Sequence, residues 1–150
     1  MVTKYLAILI ETLFVRASSS FYVVESGTVA NTSASALAPS CVNAIESQVD
    51  CDEYLQLQAS ADVYGADNTT QAIVCTTGCA SSLNSYLSNV ESNCAEQPLP
   101  WEDMPHAYFG KVLQATYNMT CLQDSATGAY CTRKLINSVS TYEDERVWLT

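Results

Sequence analysis

His106 is the single histidine of the chain, and it follows Pro105 at the head of a predicted helix. That position suits a surface or helix-capping role better than a general base. Adjacent carboxylates occur at Glu102-Asp103 and at Asp50, Asp52 and Glu53. A glycosidase needs its two carboxyl groups about 5–9.5 Å apart across a cleft, which neighbours in sequence do not establish, so helix caps and solvated faces are the expected roles. The chain contains no Gly-x-Ser-x-Gly elbow. Asp62, Asp67 and Asp124 do not have the spacing of an EF-hand loop, and no glycine-rich loop leads into a lysine that would cradle phosphate. No catalytic residue, cofactor or metal site is therefore nominated, and the expectation is a protein that is not an enzyme.

Seven cysteines carry the more specific chemistry: Cys41, Cys51, Cys75, Cys79, Cys94, Cys121 and Cys131. They are spread along the chain rather than grouped in two close clips, which argues against structural zinc. Cys75 and Cys79 have three residues between them, so a redox Cys-x-x-Cys is absent too. Disulfides formed in an oxidising compartment are the expected use. An odd count leaves one cysteine unpaired, and spacing alone leaves the connectivity open. Three acceptor sequons, at Asn31, Asn68 and Asn118, fit the same compartment as candidate glycosylation sites.

The elements that position these residues read as helices. Cys79, Leu83, Leu87, Val90 and Cys94 share one stripe, and serines and asparagines fill the opposite face, which predicts a helix starting at Thr77. Along it Cys79 and Cys94 stand about 22 Å apart at 1.5 Å per residue. A disulfide spans at most about 7 Å between Cα atoms, so each must bond to another segment. Pro39-Ser40 reads as a helix start, with Ser40 as N-cap and Val42, Ile45 and Val49 facing inward. A short helix is expected through Tyr54, Leu55 and Leu57, then a loop from Ala59 to Thr70 and a helical turn at Ala72–Val74.

Pro98 to Pro105 is a stiff connector with Asp103 as a candidate cap. A helix from His106 to Met119 follows, its broad inner face formed by Tyr108, Phe109, Val112, Leu113, Thr116 and Tyr117. Gly110 inside it marks a close helix contact. Asp124 to Gly128 is a turn closed by Tyr130-Cys131, and a last helical stretch is expected at Leu135, Ile136 and Val139. Strand signals are few. The fold class is mostly α: a small disulfide-stapled helical domain with a flexible N-terminal arm.

Among 150 residues, 16 acids and 6 bases leave a formal charge of -10, with 48% hydrophobic and 15% charged residues. That composition excludes a wholly disordered chain. The negative charge argues against nucleic acid or an anionic membrane as partner, and no apolar run is long enough to span a bilayer. Residues 1–17 read as a secretory signal interrupted by Glu11, with a small-residue cut after Ala17. The expected order is then an arm at 18–39, a Cys-rich helical domain at 40–140 and a tail at 141–150. Trp101, between prolines in the connector, is the best placed aromatic for contact with a sugar ring; Tyr108 and Tyr117 are expected in the core.

The runs Cys51-Asp-Glu-Tyr-Leu55, Cys75-Thr-Thr-Gly-Cys79-Ala-Ser-Ser-Leu83-Asn-Ser-Tyr86, Val90 and Cys94 resemble a Cys-rich module of secreted fungal LysM-domain proteins. So do Tyr108-Phe-Gly110, Ala115-Thr-Tyr-Asn-Met-Thr-Cys121-Leu-Gln-Asp124 and Thr127-Gly-Ala-Tyr-Cys131. The resemblance covers about residues 40–132 and implies a secreted, extracellular module that precedes LysM repeats. Those repeats bind chitin oligosaccharides, so the implied ligand belongs to them and not to the module. Phe21 to Thr28 superficially echoes the opening of a LysM repeat, but no Asp follows Gly27 and no periodic helix follows. The stop at Thr150 without an eighth cysteine reads as a truncated gene product, which accounts for the odd count. The expected function is a non-catalytic secreted module that binds chitin weakly or not at all on its own. The alternative is a small secreted enzyme, inhibitor or effector on a helical disulfide scaffold; the oligomeric state is left open.

Overall fold

The structure is a computed structural model, and it describes residues 19–29, 37–60, 67–101 and 104–131. The expected signal at 1–17, the sequon at Asn31, the cap at Asp103, the last helical stretch and the tail at 141–150 lie outside the described residues. In chain order the elements are β1 (Phe21–Tyr22), α1 (Pro39–Ile45), β2 (Gln48–Val49), α2 (Tyr54–Ser60), α3 (Asn68–Val74), α4 (Thr77–Asn93) and α5 (Tyr108–Thr120).

α4 forms where the stripe predicts it. Thr76 is its N-cap, with the hydroxyl oxygen accepting from the Cys79 N–H at 3.1 Å. It buries Cys79, Leu83, Tyr86, Leu87 and Val90, and α1, β2 and α5 pack around it. α5 also packs on α2. Glu96, in the left-handed region at φ 62°, turns the chain back after α4. The side-chain oxygen of Gln97 then accepts from the Ala38 N–H at 3.1 Å.

Three disulfides lock this arrangement. Cys41 of α1 bonds Cys94, the C-cap of α4; Cys51 bonds Cys79 in the first turn of α4; Cys75 at the end of α3 bonds Cys121 at the end of α5. The central helix is stapled at both ends to different segments, as its length requires. The closely spaced Cys75 and Cys79 are not joined to each other. In the chain-entropy picture, loops of 28 to 53 residues make each bond worth about 4 kcal/mol. Cys131 is free.

Parts of the segment before residue 40 pack against the helices. Phe21 pairs with Val49 and Tyr22 with Gln48 in a two-stranded antiparallel ladder. Phe21, Val23, Val24, Val29 and Leu37 are buried in the same core as Ile45, Leu55, Val74 and Leu83. The Glu46 carboxylate clamps this segment, accepting from the Gly27 and Val29 N–H groups at 2.8 Å each. Gly27 occupies φ 85°, where a side chain would be strained. A two-residue strand carries too little alternation to be read from sequence; its partner creates it.

Three expectations are corrected. Ser40 is not the cap of α1: Ala38 is, without a side-chain bond, and Pro39 occupies the first turn, where its missing N–H costs nothing. Val49 belongs to β2, not to the face of α1. The loop expected up to Thr70 ends sooner, because Asp67 accepts from the Thr70 N–H at 2.8 Å and starts α3 at Asn68.

Candidate functional site

Of the residues weighed for chemistry, His106, Asp52 and Asp124 are held by bonds to the backbone, while Asp62, Glu102 and Asp103 lie outside the described residues. The Nε2 of His106 lies 2.8 Å from the Pro98 carbonyl oxygen. A carbonyl only accepts, so this nitrogen carries the proton and ties the two ends of the connector together. His106 does not cap α5, whose N-cap is Ala107 without a side-chain bond. Asp52 accepts from the Tyr54 N–H at 3.0 Å at the start of α2. Asp124 accepts from the Ala126 and Thr127 N–H groups at 2.9 and 3.0 Å, and the Leu122 carbonyl accepts from the Cys131 N–H. The turn at 124–128 is therefore the one expected, with Tyr130 bridged to Gln123.

An open groove of about 320 Å³ lies between the end of α4 and the start of α5, with Glu91, Glu96, His106 and Lys111 among its walls. Lys111 and Glu91 pair there at 3.5 Å, and both side chains are largely exposed. Exposed pairs of this kind contribute little to stability.

Trp101, the aromatic expected to be best placed for a sugar ring, is half-buried. The connector folds back so that Trp101 bridges Met104. The Trp101 ring then stands edge-on to Phe109, centroids 5.3 Å apart at 90°, and Phe109 meets Tyr108 at 5.4 Å and 80°. Tyr108 and Phe109 were expected inside, yet they are 43% and 36% exposed. The buried positions of α5 are Gly110, Leu113 and Thr120, and Tyr108 stands about 200° around the helix from Gly110. Close approach at Gly110 narrows the seam and turns Tyr108 out. Sequence reading missed this three-ring surface because it assigned the whole apolar face to the core.

Tyr117 remains partly inside, its hydroxyl donating to the Thr76 carbonyl at 3.0 Å. Burial, with Tyr130 nearby, raises its pKa above the ordinary tyrosine value. Thr120, at the end of α5, is buried; its hydroxyl donates to Oε1 of Gln58 at 3.0 Å and its carbonyl accepts from Nε2 of buried Gln71 at 3.4 Å. Of the two described sequons, Asn68 and Asn118 are both exposed. Among the described residues no helix is long and apolar enough to cross a membrane.

Residues 21–146 match the family described as the secreted LysM effector N-terminal domain. Over 97 residues, 63% of this chain, it is 35% identical to a protein of Penicillium expansum named non-secreted LysM effector LysM15, of which it covers 7%. Over 97 residues it is 30% identical to non-secreted LysM effector LysM19 of the same organism, of which it covers 8%. No solved structure matches the chain significantly.

Proposed function

The chain belongs to the family of secreted LysM effector N-terminal domains, and from that premise we propose that it is a non-catalytic scaffold module that carries or spaces a chitin-binding partner segment. One observation carries the non-catalytic part. His106, Asp52, Asp67, Asp124 and Glu46, the groups best suited to acid–base work, are all bonded to backbone as caps, clamps and turn formers. Each of these bonds gives its group a part in holding the fold, and that part accounts for the group being there.

On this reading the module alone retains little chitin. Its exposed rings meet edge to face, so Trp101, Phe109 and Tyr108 offer no coplanar platform on which successive sugar rings would stack. The net charge neither attracts nor repels a neutral polysaccharide. A pull-down of the folded chain on insoluble chitin, beside Trp101→Ala, is the test. Strong retention lost on Trp101→Ala would make the module itself a chitin binder and end the scaffold reading.

The module is proposed to work outside the cytosol. Three disulfides support this, because cytosolic thiol pools keep cysteines reduced. The family description points the same way, while the names of the two Penicillium relatives point to the opposite. Sequencing the N-terminus of the chain from the medium of its native producer decides it. Recovery only inside cells, beginning at Met1, would reject secretion.

A further inference from the structure

The two described sequons differ in what folding does to their threonines. An acceptor sequon presents an asparagine amide together with the hydroxyl two residues on, so the transferase must reach both at once. In α5, Asn118 and Thr120 stand about 200° apart around the helix axis. Asn118 is exposed, while Thr120 is buried with its hydroxyl bonded to Gln58 and its carbonyl to Gln71. The next residue, Cys121, is bonded to Cys75. Every one of these partners, Gln58, Gln71 and Cys75, precedes Asn118 in the chain and has emerged before it during synthesis.

We propose that N-glycan transfer to Asn118 competes with closure of the Cys75–Cys121 bond, so that Asn118 is modified only on chains whose α5 has not yet docked, whereas Asn68 is modified freely. This rests on the reading that the chain enters a secretory compartment. The donor is an oligosaccharide linked to a lipid through a diphosphate. The Asn118 Nδ2 forms a bond to the anomeric carbon as the bond from that carbon to the diphosphate oxygen breaks. The lipid diphosphate leaves with the electron pair, and the amide nitrogen gives up one of its two protons. Once Thr120 is seated, α5 would have to unwind its last turn and release Gln58 before this geometry could form. Asn68 sits in the first turn of the seven-residue α3, with Thr70 half-buried and that turn held by Asp67. A helix of only seven residues is marginal on its own, so this turn opens at little cost.

The test carries the full chain into a yeast secretory pathway behind an added leader, so that the result does not depend on the native signal. Occupancy at Asn68 and Asn118 is measured by peptide mass spectrometry after enzymatic deglycosylation in heavy-oxygen water, on both secreted and retained chains. The wild type is expected to be several-fold less occupied at Asn118 than at Asn68. Cys75→Ala should raise Asn118 occupancy several-fold with Asn68 unchanged, and Gln58→Ala, which keeps the disulfide, should raise it less. Full Asn118 occupancy in the wild type, occupancy unmoved by both variants, or no glycan at either site overturns the inference. Failure of the native chain to be exported would count against the secretory reading alone.

Discussion

Gly110 leaves the space that the ring of Tyr86 fills: a Cβ built on Gly110 would stand 2.5 Å from Cε1 and 2.8 Å from Cδ1 of that ring, and 2.9 Å from Cδ2 of Leu87. The ring has no freedom to withdraw, because its hydroxyl donates to the Ile45 carbonyl at 3.0 Å. One contact thus joins α5, α4 and the end of α1.

Gly110→Ala tests that contact. Alanine favours a helix interior by about 1 kcal/mol over glycine, but forcing a methyl into a filled site costs about 1–3 kcal/mol and sometimes more. The expected outcome is net destabilisation, read as a lower midpoint in denaturant with an unchanged slope. A stabilised variant would show that α5 does not sit this close to α4.

Tyr86 makes the protein sensitive to alkali. Burial raises its pKa well above its ordinary value of 10.0. Between that value and the folded one, the unfolded chain loses the phenolic proton while the folded chain keeps it. Stability contributed by this group is full below about pH 10 and falls above it by about 1.4 kcal/mol per pH unit. Melting temperatures from pH 8 upward should show the loss, and Tyr86→Phe should flatten the alkaline slope while lowering stability at neutral pH. An unchanged slope in the variant would place the alkaline transition elsewhere.

Glu46 holds the N-terminal segment through two charge-assisted bonds to the Gly27 and Val29 N–H groups. Glu46→Ala should cost about 2–4 kcal/mol, with amide hydrogen exchange accelerating first at residues 27 and 29. Protection at those amides that survives the substitution would mean that the β1–β2 pairing and the buried valines suffice.

The disulfide pattern predicts thiol counts. Unfolded without reductant, the chain should take up one alkyl group, at Cys131, and seven after reduction. The double variant Cys75→Ser with Cys121→Ser should lose about 4 kcal/mol, the entropy of a 46-residue loop. More than one alkyl group before reduction would contradict the three pairs.

Much of the helical frame was legible from residues alone. The stripe through Cys79, Leu83, Leu87 and Val90 located α4, and the length of that helix forbade a Cys79–Cys94 bond, because period and rise are properties of the backbone itself. Gly110 announced a close contact for a similar reason: a residue without a Cβ inside a helix has a use where something must approach.

What the tertiary structure decided depends on which surfaces meet. Cys41 pairs with Cys94 and Cys51 with Cys79 because α1 and the segment that follows β2 meet opposite ends of α4, and no spacing along the chain encodes that meeting. The segment from Phe21 to Val29 looks like linker until β2 and Glu46 supply partners for its N–H groups. Tyr108 looks like core until Gly110 sets the line of contact and leaves it outside. In each case local pattern states what a residue prefers, while burial requires a second surface, and that surface is brought by folding from a distant part of the chain.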